Sequence, residues 1–328
     1  MNYRPLYSTL PNMRKDSAKK VAECILCHKK CTRRDIAKYA DISDMSATKA
    51  VSSLFDSGII SEKELKSKDT GRQCGFISVS HDNPYIVIDI SIRNYKMYCL
   101  NSNFKVISQY NYRYEDRFSL SDNLSIFMER GHKMMSEAVS HFCGICLLTK
   151  HKFEDTDIAK STVTRVFSHE PDATIDVGVA VSHLMHSNVD SHLPTNFLFY
   201  VNIGSGCESY FVFGENIIKC NPRKLVGKNN VPIGDMIDSC VSSIELYEII
   251  FDIFNCASSM LCPEVLILES DRFILGSQVA FNLSKKLKIN FVDSRRLLVS
   301  DKLPHLYIKG ALLCLIHTLM VGILANNK

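Results

Sequence analysis

The chain is read as having no hydrophobic run long enough to cross a bilayer. Its most apolar segment, Ala311 to Ala325, carries His317 and falls short of the roughly 20 residues a spanning helix needs. A buried C-terminal helix is expected there, and no membrane partner. A signal-like start is also missing, since charged residues run through the first 30 positions. Neither sign of charge dominates: 39 Lys and Arg face 35 Asp and Glu, a net charge of +4. The 13 cysteines lack a pairing logic. Their number is odd, and most lie in apolar runs such as Cys143 to Cys146 and Leu313 to Leu315, where free cysteine acts as a small buried hydrophobe. These absences argue against a secreted disulfide scaffold and for a reducing cytoplasm. Cys24, Cys27 and Cys31 have a spacing a metal could use. However, Cys24 and Cys27 fall within one expected helix, and no matching His or Cys pair follows nearby. No metal and no cofactor are expected.

The charge that is present is unevenly spread. Residues 1–80 hold 15 Lys and Arg against nine Asp and Glu, so this part is basic and the remainder slightly acidic. Only the N-terminal part is expected to meet a polyanion. Within it, Thr32 to Ser61 carries the most information. Thr32 and Asp35 have capping-box spacing, and Ile36, Ala37 and Ala40 give that helix an apolar face. Asp41 to Ser43 is a tight turn, and Ser43 or Asp44 can cap a second helix. Ala47, Ala50, Val51, Leu54 and Phe55 recur at helical spacing as its inward face. Met45, Ser46, Thr48, Lys49 and Ser52 are left on the other side. Small polar and basic side chains there can approach base edges and phosphates. Gly58 suits a helix C-terminus. The basic run Lys63 to Gln73 lies between two strand-like stretches, Ile59–Ile60 and Phe76 to Val79, as a wing would. Ser17 to His28 is expected to be a supporting helix, with Ala18, Val21, Ala22, Ile25 and Leu26 inward. Residues 1–15 read as a loose basic tail and 16–80 as a winged helix-turn-helix. Two helices of an ordinary bundle are the plainer alternative.

Beyond residue 80 the pattern changes to a three-strand meander: Tyr85 to Ile90, Tyr95 to Leu100 and Lys105 to Tyr112, with a turn at Asn101 to Asn103. A helix over 121–140 and a buried strand over 143–149 follow. A short strand ends at Asp176, before a helix from Val177 to His186. A second set begins with strands near 196–203 and 209–213 and a turn at Gly214 to Asn216. It continues with a helix over 241–261, a strand over 264–268, a helix over 277–285, a short strand over 290–292 and a last helix from Lys309 to Ala325. The recurrence predicts a duplicated α/β architecture.

With these landmarks the chain resembles the ROK family of repressors and sugar kinases. Residues 43–60 resemble its S-x-x-T-x-S-x-x-V-x-x-L recognition helix, and Thr70-Gly71-Arg72 the end of its wing. Asp89 resembles the aspartate of the phosphate hairpin, Ile175 to Ala180 the N-D-A-N-A-A segment, and Asn202 to Gly206 the second phosphate turn. Pro263 to Leu268 resembles the P-E-V strand, and Gly310-Ala311-Leu312 the start of the last helix. The resemblance implies an α/β chain in which a winged helix-turn-helix precedes a duplicated hexokinase/actin-like (ribonuclease H-like) ATPase-fold domain. That domain would cover 81–328, with one lobe over roughly 81–195 plus part of the C-terminal helix and a second over roughly 196–308. The departures bear on activity. Ser91 stands where the phosphate hairpin needs glycine. Leu147 to Lys150 lacks the glycines of G-V-P-G. Glu269-Ser270-Asp271 replaces the adenosine glycines, where an acidic pair would repel phosphate and crowd the base. Lys228 to Val231 replaces the sugar-contacting E-x-G-H, and the zinc motif is missing. Asp176 matches the position of the kinases' general base, and a helix cap explains it equally well.

The reading that follows is a cytoplasmic, nucleoid-associated regulator without catalytic residues. Double-stranded DNA would be met by Ser46, Thr48, Lys49 and Ser52 with Met45 beside them, and by Arg33, Arg34, Lys66, Lys68, Arg72 and Gln73 on phosphate or in the minor groove. Asp89, Asp176, Gly204 and Gly206 would mark a vestigial ligand site. A homodimer or dimer of dimers is expected, with a small molecule or a protein as effector. The alternatives are a repressor that responds to a carbohydrate or sugar phosphate, and an ATP-dependent sugar kinase. Redox sensing through Cys24, Cys27 or Cys31 is disfavoured.

Overall fold

The computed structural model describes residues 2–3, 15–28, 30–65, 74–91, 94–149, 153–185, 197–203, 207–213, 216–221, 231–240, 242–261, 263–270, 281–283, 285–286, 296–300 and 305–325. The chain divides into two units, residues 1–192 with 308–328 and residues 193–307.

The first unit begins with a short strand, β1 (Asn2–Tyr3), so the expected loose tail is in part paired backbone. Three helices follow: α1 (Lys15–Cys27), α2 (Arg33–Ala40) and α3 (Asp44–Asp56). Their small inward residues let them pack closely. In α1 these are Ala18, Val21, Ala22, Cys24 and Ile25, and Leu26, expected inward, is only half-buried. In α3 they are Ala47, Ala50, Val51, Ser53 and Leu54. Phe55, also expected inward, is 51% exposed. Ser53 and Phe55 flank the apolar stripe on opposite sides, and the close helix contact admits the small residue. An antiparallel hairpin, β2 (Ile60–Leu65) and β3 (Cys74–Val79), comes next, with Ile60 opposite Val79 and Leu65 opposite Cys74.

The meander is β4 (Pro84–Asp89), β5 (Asn94–Asn101) and β6 (Val106–Arg113). After α4 (Leu120–Ala138) come β7 (His141–Phe142), which pairs with β1 in parallel, and β8 (Ile145–Leu148). Then follow α5 (Phe153–Phe167), β9 (Ala173–Ile175) and α6 (Val177–Met185). The sheet order is β6-β5-β4-β8-β9, antiparallel through the meander and parallel from β4 onward. All six residues of β4 are buried, as a strand covered on both faces requires. One face carries Ile86, Ile88, Met97, Ile145 and Leu147 against Leu124, Phe127 and Met128 of α4 and Ala159 and Val163 of α5. Burying one such Leu, Ile, Phe or Met contributes about 1.5–3 kcal/mol. α5 is absent from the sequence reading. Its six β-branched residues weaken the helical signal. In place, Thr162 and Thr164 donate their hydroxyls to the carbonyls of Ile158 and Lys160 four residues back.

The second unit repeats this order and these strand senses. Its strands are β10 (Phe197–Ile203), β11 (Cys207–Phe213), β12 (Asn216–Cys220), β13 (Val265–Ser270) and β14 (Arg296–Ser300), ordered β12-β11-β10-β13-β14. Again the first three are antiparallel and the last two parallel to the central strand. α7 (Ile233–Ser239) and α8 (Ser243–Leu261) contribute Ile237, Ile250 and Phe254 to a core with Phe199, Val201 and Phe211. The strand expected over 290–292 lies outside the described residues, and the fifth strand is β14.

The last helix, α9 (Leu306–Ala325), starts three residues earlier than expected. The expectation that this segment is too short to span is corrected: at 20 residues the helix could cross a membrane by length and composition, yet it is mostly buried, as a helix apolar on all sides is inside a protein. Its backbone runs so close to α6 that a Cβ on Gly310 would overlap the Ala180 carbonyl. Gly310→Ala is therefore expected to lower stability by about 1–3 kcal/mol, read as a lower urea midpoint. An unchanged midpoint would mean that the two helices are not so closely apposed.

Candidate functional site

The N-terminal helices are fixed by their caps. The Thr32 hydroxyl donates to Asp35 Oδ2 at 2.8 Å and accepts from the Asp35 amide, while the Thr32 amide donates to the same carboxylate at 2.9 Å. These bonds hold the Asp35 carboxyl below its usual range. The turn is made by Asp41, which adopts a left-handed φ of 53°, a conformation Asp tolerates through its short polar side chain. Ser43 then caps α3 by accepting from the Ser46 amide at 3.1 Å. With the stripe of Ala47, Ala50, Val51 and Leu54 buried, the opposite face carries Met45, Thr48, Lys49 and Ser52 at i, i+3, i+4 and i+7. Met45 is 67% exposed, Thr48 and Lys49 are exposed, and Ser52 is half-buried. The Thr48 hydroxyl donates to the Asp44 carbonyl at 2.8 Å, which ties its side chain back to the preceding turn. Ser46 is half-buried beside the cap.

The basic residues around this face separate into groups. Arg34 is exposed. Arg33 forms a two-pronged ion pair with Glu62 of β2, one arm at 2.8 Å. It ties the start of α2 to the hairpin instead of standing free. The hairpin is also held by a backbone bridge between Cys31 and Ile77 and by the Asn83 side chain, which donates to the Gly58 carbonyl at 2.8 Å. Gly58 has a φ of +77°, which favours glycine at this helix-to-strand turn. Lys66, Lys68, Arg72 and Gln73 lie outside the described residues, as does the Thr70-Gly71-Arg72 segment.

The suspected ligand residues are placed at one end of the first sheet. Asp89 ends β4 and pairs with Leu148, which pairs with Ile175. Asp89 and Asp176 thus stand two strand spacings apart, roughly 10 Å between backbones. Asp89 is fully buried. Its Oδ1 accepts from the Ser91 amide at 2.9 Å and the Ser91 hydroxyl at 2.6 Å. The amide that would face a phosphate in a glycine turn is therefore directed at a carboxylate. Asp176 accepts from the Val179 amide at 2.8 Å and caps α6. Gly204, Gly206 and Lys228 to Asn230 lie outside the described residues.

Glu269 corrects an expectation. It does not crowd a nucleotide, because it is fully buried. It accepts from the Tyr200 hydroxyl at 2.8 Å and from the Leu306 and Tyr307 amides, the first at 2.5 Å. A carboxylate at a helix N-terminus is favourable, and here it anchors the first turn of α9. His305 Nδ1 lies 3.8 Å from its Oε1. Sequence position alone could not separate a strand-end residue that faces a cleft from one that faces the core. Burial raises the Glu269 pKa above the ordinary carboxylate value, against the opposing effect of His305 and these hydrogen bonds. The folded state then binds the proton more tightly than the unfolded chain does. Its contribution is full below the ordinary value and is lost as pH rises through the folded pKa. The stability of wild type relative to Glu269→Gln should therefore fall as pH is raised from the acid range to neutrality, as urea midpoints would register. A pH-independent difference would refute that assignment.

No family model matches the sequence, and no curated protein matches it. Solved structures do. A ROK family transcriptional regulator, a homolog of the E. coli Mlc protein, superposes with a TM-score of 0.61 at 10% identity, over 94% of this chain and 97% of that one. An inorganic polyphosphate/ATP-glucomannokinase from Arthrobacter sp. strain KM gives 0.50 at 12% identity, over 71% of this chain and 98% of that one. The kinase lacks a counterpart to more than a quarter of this chain, whereas the regulator spans nearly all of it. The chain has the mixed α/β fold of a ROK family transcriptional regulator.

Proposed function

We propose that the protein is a DNA-binding transcriptional regulator. Residues 16–80 would form a winged helix-turn-helix, and residues 81–328 a duplicated hexokinase/actin-like domain used for dimerisation and for sensing. The observation that carries this reading is the exposed face of α3, with Met45, Thr48, Lys49 and Ser52 set on a capped helix that the β2–β3 hairpin follows in the chain. Likeness to a regulator over nearly the whole length supports it. Lys49, Arg34 and the hairpin cations would supply phosphate contacts, which dominate affinity and make it fall with salt. Thr48, Ser52 and Ser46 would face base edges. One such helix reads few base pairs, so two copies on half-sites about 34 Å apart are expected. Arg33 would act through Glu62 by holding the hairpin in place. The site of action would be the cytoplasm and its nucleoid.

Kinase activity is disfavoured by the first sheet's corner. Phosphoryl transfer depends on positioning and electrostatics around the phosphates. Here the Ser91 amide is bonded to Asp89, and Asp176 caps a helix. Without the sugar-contacting Glu and His, the signal would be a metabolite of another class or a protein partner. ATP with magnesium is expected to leave the melting temperature unchanged, and a clear upward shift would revive the enzyme reading.

Selection of genomic fragments by the purified protein tests the main proposal. Wild type should enrich a two-fold-symmetric site. Thr48→Ala combined with Lys49→Ala should lose it. Lys49→Ala alone should lower the log-log salt slope by about 1. Equal enrichment by wild type and double variant, or none by either, would sink the assignment of α3 as the reading helix.

A further inference from the structure

A cleft of about 430 Å³ opens within the first unit where segments distant in sequence meet. The ends of α1 and β3 form one side, the turn between β5 and β6 another, and the middle of α9 the floor. Its size falls in the range of small-molecule sites, roughly 300–1,000 Å³. Neither the exposed face of α3 nor the corner at Asp89 and Asp176 takes part in it.

The floor is apolar. Ile25, Leu313 and Ile316 line it, each at most 5% exposed. His28, His81 and Asn103 stand exposed at the mouth. Imidazole and carboxamide groups offer N–H donors, and none of the described lining residues carries a carboxylate. The His28 ring is set edge-on to Tyr39 of α2, which places it against the N-terminal helices. A dry floor with donors at the rim suits a ligand with an apolar body and an anionic head. A polyol would have to set its hydroxyls against that floor without partners, which is costly. Two imidazoles alone do not make a metal site, and no cluster of three metal-ligating side chains exists among the described residues.

Phe104 lines the same cleft and has a left-handed φ of 61°. Glycine or asparagine is the ordinary choice for that conformation, and a bulky ring there is an outlier. The turn holds it through Asn101. The Asn101 side-chain oxygen accepts from the Asn103 and Lys105 amides at 3.1 and 3.0 Å, and its carbonyl accepts from the Phe104 amide at 2.9 Å. Strain held in this way clusters at ligand clamps and other functional positions. Here it keeps Phe104 on the wall of the cleft.

We propose that this cleft binds a small carboxylic acid with an apolar body. The body lies on Ile25, Leu313, Ile316 and Phe104, and the carboxylate meets His28, His81 and the Asn103 amide. A short route leads from the site to α3. The Ser102 hydroxyl, in the turn that lines the cleft, donates to the Ser80 carbonyl at 2.6 Å, and the Ser80 amide donates to the Ile59 carbonyl at 2.9 Å. Ile59 lies just past the end of α3. A ligand that favours one setting of the turn against the hairpin thereby biases the pose of α3. This coupling rests on the regulator reading and names the class of its signal. The binding itself does not depend on that reading.

Full-length protein labelled at histidine is titrated with phenylacetate, 3-methylbutanoate, 2-phenylacetamide and glucose. The imidazole signals are followed by NMR, with His28 and His81 assigned through His28→Gln and His81→Gln, and DNA affinity is measured on the same samples. Both acids should shift the His28 and His81 signals saturably, ahead of the other histidines. They should change DNA affinity by about fivefold or more, within the range of allosteric couplings. Phenylacetamide, of the same shape but uncharged, should bind about tenfold more weakly, the worth of a hydrogen bond to a charged group. Glucose should leave both rings unmoved. Asparagine tolerates the left-handed backbone, so Phe104→Asn should bind DNA as wild type does and lose most of its affinity for phenylacetate. If that variant melts early, His81→Gln carries the test, with weakened acid binding and amide binding nearly unchanged. The site is overturned by the absence of a saturable shift at either ring, by equal binding of phenylacetate and its amide, or by unaltered acid affinity in the variant that carries the test. A clear response to glucose alone would overturn the ligand class. Acid binding without a change in DNA affinity would overturn the coupling. Acid binding by a protein that binds no DNA would sink the regulator reading and leave the site standing.

Discussion

Both sheets must be covered on two faces, and much of the chain serves that need. A parallel pairing at the central strand, β4 with β8 and β10 with β13, demands crossover helices. Strands such as β4 and β13 are buried at every position. In the first sheet, α4 and α5 cover one face. The other receives α9, whose Leu315 and Leu319 lie over Gly144 and whose Gly310 lies against α6. The C-terminal helix thus completes a core begun more than 200 residues earlier. That long-range dependence explains its uniform apolarity, which in isolation imitates a membrane span.

The corner where strands β4 and β9 end shows the same economy of groups. Asp89 and Asp176 are there, and both serve the backbone of this chain: Asp89 closes the turn at Ser91, and Asp176 caps α6. Carboxylates that accept hydrogen bonds from their own amides are held in place, with less freedom to orient a substrate. Glu269 plays the corresponding structural role in the second unit by gathering Tyr200 and the first turn of α9.

In the N-terminal helices the fastening is local and dense. Caps at Thr32 and Ser43, the Arg33–Glu62 pair and the Cys31–Ile77 bridge fix α2, α3 and the hairpin relative to one another. Such a rigid mount suits a surface that must present small side chains in register.

Local physics was legible in the sequence wherever neighbours along the chain decide the outcome. The capping box at Thr32–Asp35, the cap at Ser43, the turn at Asp41 and the stripe of Ala47, Ala50, Val51 and Leu54 depend on spacing alone, and so does the meander after residue 80. Burial at the margins was not legible. Phe55 and Ser53 flank the same stripe, and only the helix packed against it selects the smaller one. α5 was hidden because its β-branched residues weaken local propensity, and the core made by Ala159, Val163 and Phe167 stabilises it. Glu269 looked like a cleft residue because a strand's two faces alternate with no label for inside. The sequence by itself determined the capped N-terminal helices and the strands of the meander, because their signals lie between near neighbours. Tertiary structure alone decided which polar groups are brought face to face, because those distances depend on packing between segments far apart in the chain.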